Sequence, residues 1–180
     1  MTDYNFIVDK IIEFGASGVN IINVSDIEFK PELRQLCIDN RCGNYGLNYT
    51  CPPYVGTSQE LIEKVKQYRV AIVIHNTENI NGLKDKNGID IAEQKINKIL
   101  IKLNRFTHNK NLEYMIIGAT SCKICNPCKI MTKDNCPHKE EAFISLSAFC
   151  IDVEKLANKC NISFNWEGKT ITNIGILLIK

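Results

Sequence analysis

The chain has 180 residues, of which 44% are hydrophobic and 23% charged, a globular balance that excludes intrinsic disorder and allows one substantial core. Its 22 basic residues face 20 acidic ones for a net charge of +2, so no broad electrostatic case exists for nucleic acid or an anionic membrane as partner. No apolar run approaches the roughly 20 residues of a spanning helix, and the opening Met1-Thr2-Asp3-Tyr4-Asn5-Phe6 lacks the basic and apolar regions of a secretory signal. The expectation is a cytoplasmic protein forming a single domain over 1–180.

Phe6, Ile7, Ile11 and Phe14 recur at helical spacing and predict an opening helix. Gly15 ends it, and 18–24 reads as a strand. Gly15-Ala16-Ser17-Gly18 is a helix-to-strand turn and no phosphate loop, because it lacks Lys-Ser/Thr and does not lead a helix. Thr57-Ser58-Gln59-Glu60 is a capping box opening a helix that carries Leu61, Ile62, Val65 and Tyr68. Residues 70–74 form a short strand ended by His75, a lone histidine read as structural, and 76–87 is a polar loop or hairpin tip.

The longest helix is predicted over 89–106. Ala92, Ile96, Ile99, Leu100, Leu103 and Phe106 make its buried face, while Lys95, Lys98, Lys102 and Arg105 point outward. That basic stripe reads as a solvated face, with guidance of an acidic redox partner as the alternative. A buried-type strand at 114–119 leads into a cysteine-rich loop. Helices are expected at 139–149 and 153–160, the second capped by Asp152, and strands at 162–166 and 170–179. This irregular alternation predicts an α+β fold, a mixed β-sheet packed with helices, carrying two cysteine-rich metal-binding loops at about 37–54 and 122–137.

The nine cysteines are unevenly placed, and an odd count in an intracellular chain argues against a disulfide framework. Cys122-x2-Cys125-x2-Cys128-x7-Cys136-Pro137 is the sharper group. Such a triple converges three thiolates of one short loop on one face of an inorganic cluster, and a later Cys-Pro supplies the fourth ligand. The bacterial ferredoxin run C-x2-C-x2-C-x3-C-P follows the same logic with a shorter last gap. Zinc, which favours two Cys-x2-4-Cys pairs around a tetrahedron, is the rival, and packing as small hydrophobes is the bland alternative.

Cys37-x4-Cys42-x8-Cys51-Pro52-Pro53 is a looser group. Asn40, Gly43, Asn44, Gly46 and Asn48 around it tolerate positive φ and let backbone N–H groups approach sulfur. Tyr45, Tyr49 and Tyr54 are spaced to shield a cluster. Cys150 and Cys160 lie in apolar helical stretches and read first as packing residues, Cys150 being the better candidate for an extra metal ligand. Cys51 and Cys136 both precede proline, so an exchange in which each completes the other group's site, as in two-cluster ferredoxins, is an open alternative.

The run from Pro31 through Cys37, Arg41-Cys42-Gly43-Asn44-Tyr45-Gly46-Leu47-Asn48-Tyr49-Thr50-Cys51-Pro52-Pro53-Tyr54, the Cys122 to Cys136 run and Phe149-Cys150-Ile151-Asp152-Val153 together resemble a small prokaryotic family of predicted metal-binding proteins, filed as domain of unknown function 2284. The resemblance spans nearly the whole chain and implies metal or iron–sulfur ligation by Cys37, Cys42, Cys51, Cys122, Cys125, Cys128 and Cys136. It brings no established reaction.

The leading function is an iron–sulfur protein with one or two 4Fe–4S clusters, acting in electron transfer or as a redox accessory to an unidentified partner protein. The chain has no G-x-S-x-G, H-E-x-x-H or Walker motif to suggest other chemistry. An iron–sulfur enzyme with an open cluster site is the alternative, since two clusters with four cysteine ligands apiece take eight thiolates and the two groups supply seven. A zinc-stabilised binding module is the third reading.

Overall fold

The computed structural model describes residues 4–163 and 168–180. The β-branched runs at 70–79 and 170–179 form the two long strands, β2 (Val70–Asn79) and β4 (Thr170–Ile179), which pair along their full length. β1 (Gly18–Asn23) joins the outer edge of β2, and β3 (Tyr114–Ile117) joins β4, giving the order β1-β2-β4-β3. All these pairs are antiparallel, and parallel pairing occurs at the Gly118–Ser145 bridge that extends β3. The α+β architecture is therefore as the sequence implies, with the four strands antiparallel.

The central strands are buried at consecutive positions because helices cover both sheet faces. Alternation then sorts the side chains. Ala71, Val73, Ile174, Ile176 and Leu178 pack with Leu61 and Val65 of α3 (Ser58–Lys66) and Leu156 of α5 (Val153–Lys159). Ile72, Ile74, Leu177 and Ile179 pack with Ile7 and Ile11 of α1 (Asn5–Glu13) and with Ile96, Leu100 and Leu103 of α4 (Lys86–His108). Gly175 lets α4 seat this closely: a Cβ there would lie 2.8 Å from Leu100 Cδ1 and 3.2 Å from the Ile117 carbonyl oxygen. Among the described residues, no helix is long and apolar enough to cross a membrane.

The Thr57–Glu60 capping box, the Asp152 cap and the Gly15 turn with φ +103° form as the sequence implies. Other segments differ. β2 runs on through His75 to Asn79, because the polar start of β4 pairs with it and the Thr77 and Thr172 hydroxyls meet at 2.9 Å. His75 is thus mid-strand, opposite Gly18. α4 starts earlier than its apolar stripe, since Asp85 caps it by accepting from Gly88 N at 2.9 Å.

A short helix, α2 (Leu33–Ile38), leads into the first cysteine loop and buries none of its residues, so it leaves no core-facing stripe in the sequence. The helix expected at 139–149 is absent. There Gly118 donates to the Ile144 carbonyl at 2.8 Å and accepts from Leu146 N at 3.0 Å, and turns closed by the Ser145 and Ser147 carbonyls follow. Pairing with the distant Gly118 takes the backbone groups of this segment out of a helix, and helical periodicity cannot register it. Residues 164–166 of the strand expected at 162–166 lie outside the described residues, and Ile162 and Ser163 belong to no strand.

Candidate metal centre

The second cysteine loop hangs from β3. The paired hydrogen bonds of Gly118 join its two stems, so the residues between form one closed excursion. Inside it, Cys122, Cys125, Cys128 and Cys136 line a single cavity together with Ile124, Pro137, His138, Asn48 and Tyr49. The space at its centre is about 10 Å³, close to the room one water needs, so the larger volume of a cluster requires these side chains to move apart. Lys123 anchors the loop to the sheet-packed scaffold through ion pairs with Asp90 and Glu93 of α4.

The first loop begins at Cys37, in the last turn of α2. Its backbone turns through left-handed residues Asn40 (φ +53°), Gly43 (φ +74°) and Gly46 (φ +71°), as their sequence types suggest. Cys42 is exposed, Cys37 half-buried and Cys51 buried. Three side chains clip this loop onto the other. Asn48 Nδ2 donates to the Cys122 carbonyl at 2.8 Å, Cys122 N donates to Thr50 Oγ1 at 3.0 Å, and the Tyr49 hydroxyl donates to the Asp134 carbonyl at 2.8 Å. Asn48 Oδ1 also accepts from Thr50 N and Oγ1, so both buried polar side chains are satisfied. The Tyr49 and Tyr54 rings lie 6.0 Å apart beside the clip.

Burial and the other thiols together set how readily each cysteine ionises. Burial pushes Cys51 up to about 12, with Cys42, Cys37 and more weakly Cys128 adding to the push and the Thr50 hydroxyl opposing it. Burial raises Cys37, Arg34 opposes, and Cys42 and Cys150 add. Burial also raises Cys122 against the pull of the Ile124 N–H, with Cys136, Cys128 and Cys125 adding. By mutual electrostatic influence the thiols fall into two neighbourhoods, Cys122/Cys125/Cys128/Cys136 and Cys37/Cys42/Cys51/Cys150, with Cys51 feeling Cys128 weakly across them. Cys136 shares the cavity with its own triple, and Cys51 is not among the residues lining it.

Cys150 is fully buried, in a turn with φ +59° and not at a helix end. Its Sγ lies 3.8 Å from the Pro31 carbonyl oxygen, just ahead of α2. Cys160 is 4% exposed within the sheet-face core, the packing role its context suggests. All nine cysteines are free thiols. Among the described residues, no three His, Cys, Asp or Glu side chains converge closely enough to hold a single metal ion. The thiols are gathered around a cavity and not drawn to one point. A set of thiols with nearby backbone N–H groups nonetheless suits a thiophilic metal, whose ligand is the thiolate.

Sequence reading did not pick out Asn48 and Thr50 as the clip, or His138 and Ile124 as cavity walls. Their signal is tertiary: each acts on a residue more than 70 positions away or on a cavity that exists only after folding. The basic stripe of α4 is partly neutralised internally. Lys95 pairs with Glu78, Arg105 with Glu141, and Lys102 Nζ lies 5.8 Å from the Phe14 ring centroid.

An α+β scaffold that suspends two clipped cysteine loops beside its sheet defines a thiol-rich class of protein. The chain belongs to the family described as predicted metal-binding protein (DUF2284), which it matches over residues 20–179. Neither a curated protein nor a solved structure matches it.

Proposed function

We propose that this protein holds iron–sulfur clusters of the 4Fe–4S type on its two cysteine loops and passes electrons to a partner protein. The observation that carries this reading is the single cavity walled by Cys122, Cys125, Cys128 and Cys136, the side chains that the ferredoxin-like spacing singles out. The adjoining neighbourhood of Cys37, Cys42, Cys51 and Cys150 supplies a second set of four thiols. Complete thiolate sets leave no iron open to substrate, which favours electron transfer over an open-site enzyme.

When bound, a cluster supplies one-electron redox chemistry. The chain's own groups do the rest. Thr50 and Asn48 fix the Cys122 backbone, the Ile124 N–H partly offsets the burial that disfavours the Cys122 thiolate, and Tyr49 lines the cavity. Nine free thiols fit a reducing compartment, in keeping with a cytoplasmic protein. Neither nucleic acid nor membrane is part of this reading.

Anaerobic purification with iron, sulfide and zinc analysis tests it. Brown protein with equimolar iron and acid-labile sulfide is expected. Stoichiometric zinc without sulfide would replace this reading with the zinc-stabilised module.

A further inference from the structure

Arg34 stands three residues before Cys37 on α2, so the two side chains share a helix face. Its Nη2 donates to the Gly56 carbonyl at 3.0 Å, which holds the guanidinium under the end of the first cysteine loop. Its Nη1 is shielded from solvent and, among the described residues, has no hydrogen-bond partner. A buried charged donor left unpaired is costly, and such groups are rare without a missing acceptor. A neutral thiol is a weak acceptor, whereas a thiolate or a cluster sulfide is a strong one for a guanidinium.

The surroundings identify where that acceptor lies. The charge of Arg34 acts on both Cys37 and Cys150, and its backbone N–H and side chain also favour the Cys150 thiolate by hydrogen bonding. The Cys150 turn is fixed against the approach to α2 by Lys30 N donating to the Cys150 carbonyl at 2.8 Å and by the Phe29–Ile151 bridge. Cys150 Sγ is therefore held beside the helix that carries Arg34 and Cys37. In the other neighbourhood the nearby Lys123 is already committed to Asp90 and Glu93. The two sets of thiols thus differ in charge compensation.

We propose that Arg34 Nη1 donates a hydrogen bond to a metal–thiolate group held by Cys37 and Cys150, offsetting its negative charge. This rests on the metal-binding reading above but not on the metal being iron. As the group assembles, each thiol releases its proton to solvent while a sulfur–metal bond forms, with no change in oxidation state. Four thiolates around a divalent ion leave a net negative charge, which a buried guanidinium stabilises. Arg34 is a positioning residue: it compensates charge and binds no metal itself.

The test uses Co²⁺ as probe on the full chain, reduced and metal-free under anaerobic conditions, in a Cys125→Ser/Cys128→Ser background that disables the other set. Thiolate-to-cobalt absorption reports binding. Arg34→Met should weaken Co²⁺ binding about tenfold or more, and Arg34→Lys should weaken it less, because it keeps the charge and loses the planar fork. Adding Cys150→Ala should shrink the effect of Arg34→Met, as a double-mutant cycle requires when both act on one group. If Arg34→Met proves unfolded by circular dichroism, Arg34→Gln, which keeps an N–H for Gly56, carries the same expectation. Unchanged Co²⁺ affinity in a folded Arg34 variant, an effect independent of Cys150, or no thiolate–cobalt absorption in the parent background would each overturn the proposal. Iron and sulfide analysis fails separately: a zinc protein would defeat the iron–sulfur reading and leave the role of Arg34 standing.

Discussion

The sheet and the cysteine loops are held by different forces. The sheet carries consecutive buried aliphatic residues at 71–74 and 174–179, apart from Gly175, and its two faces are closed by helices. The loops bury few large apolar side chains. They are ordered by hydrogen bonds between loops, by the Lys123 ion pairs and by left-handed turns. Fixing one residue's backbone costs about 1–2 kcal/mol, which apolar burial offsets in the sheet and little offsets in the loops. The scaffold is therefore expected to fold without metal, and the loops to need metal–thiolate bonds for full order.

The largest expected effect breaks the scaffold and spares the chemistry. Leu100→Ala deletes a fully buried side chain between α4 and the sheet and should cost about 2–5 kcal/mol in urea unfolding, with metal per folded chain unchanged. Gly175→Ala should cost about 1–3 kcal/mol in the same measurement by pushing its Cβ against Leu100 and the Ile117 carbonyl. Loss of metal stoichiometry in either folded variant would show that scaffold and site are not separable.

A change at the clip should reverse that pattern. Asn48→Ala removes the donor to the Cys122 carbonyl and the acceptor for Thr50 N, leaving buried backbone groups unpaired at about 1–3 kcal/mol. The loss should appear as faster hydrogen exchange in both cysteine loops, with β2 and β4 unaffected. Faster exchange in one loop alone would mean the clip does not couple them.

The effect smallest at neutral pH is a pH dependence of the metal-free protein. Burial pushes Cys51 up to about 12 from an ordinary value of 9.0, so the folded state keeps a proton that the unfolded state loses. Its contribution is fully present below pH 9.0 and is lost as pH rises towards about 12. Urea midpoints should fall across this range, and Cys51→Ala should flatten the fall. A stability curve for the variant as steep as that of the parent would contradict the burial of this thiol.

What the sequence reveals follows the same division. Apolar periodicity marks β1, β4, α1 and the body of α4, and local capping chemistry marks Thr57 and Asp152, because each signal lies within a few residues. The polar end of β2 and the turns at 139–149 are decided by distant partners, Thr172 and Gly118, and so are misread locally. Cysteine spacing identifies Cys122, Cys125, Cys128 and Cys136 as a group because ligands spaced closely on one loop can face one cavity. The neighbourhood of Cys150 with Cys37, and the orphaned Nη1 of Arg34 beside them, arise from a contact across more than 110 residues that no spacing encodes.

Hydrogen exchange on the metal-loaded and chelator-stripped protein tests the central claim most directly. Removal of metal should release protection in both cysteine loops together while the amides of β2, β4 and α4 stay protected. Collapse of protection across the sheet, or loops that exchange identically with and without metal, would contradict a metal centre built by two clipped loops on a self-sufficient scaffold.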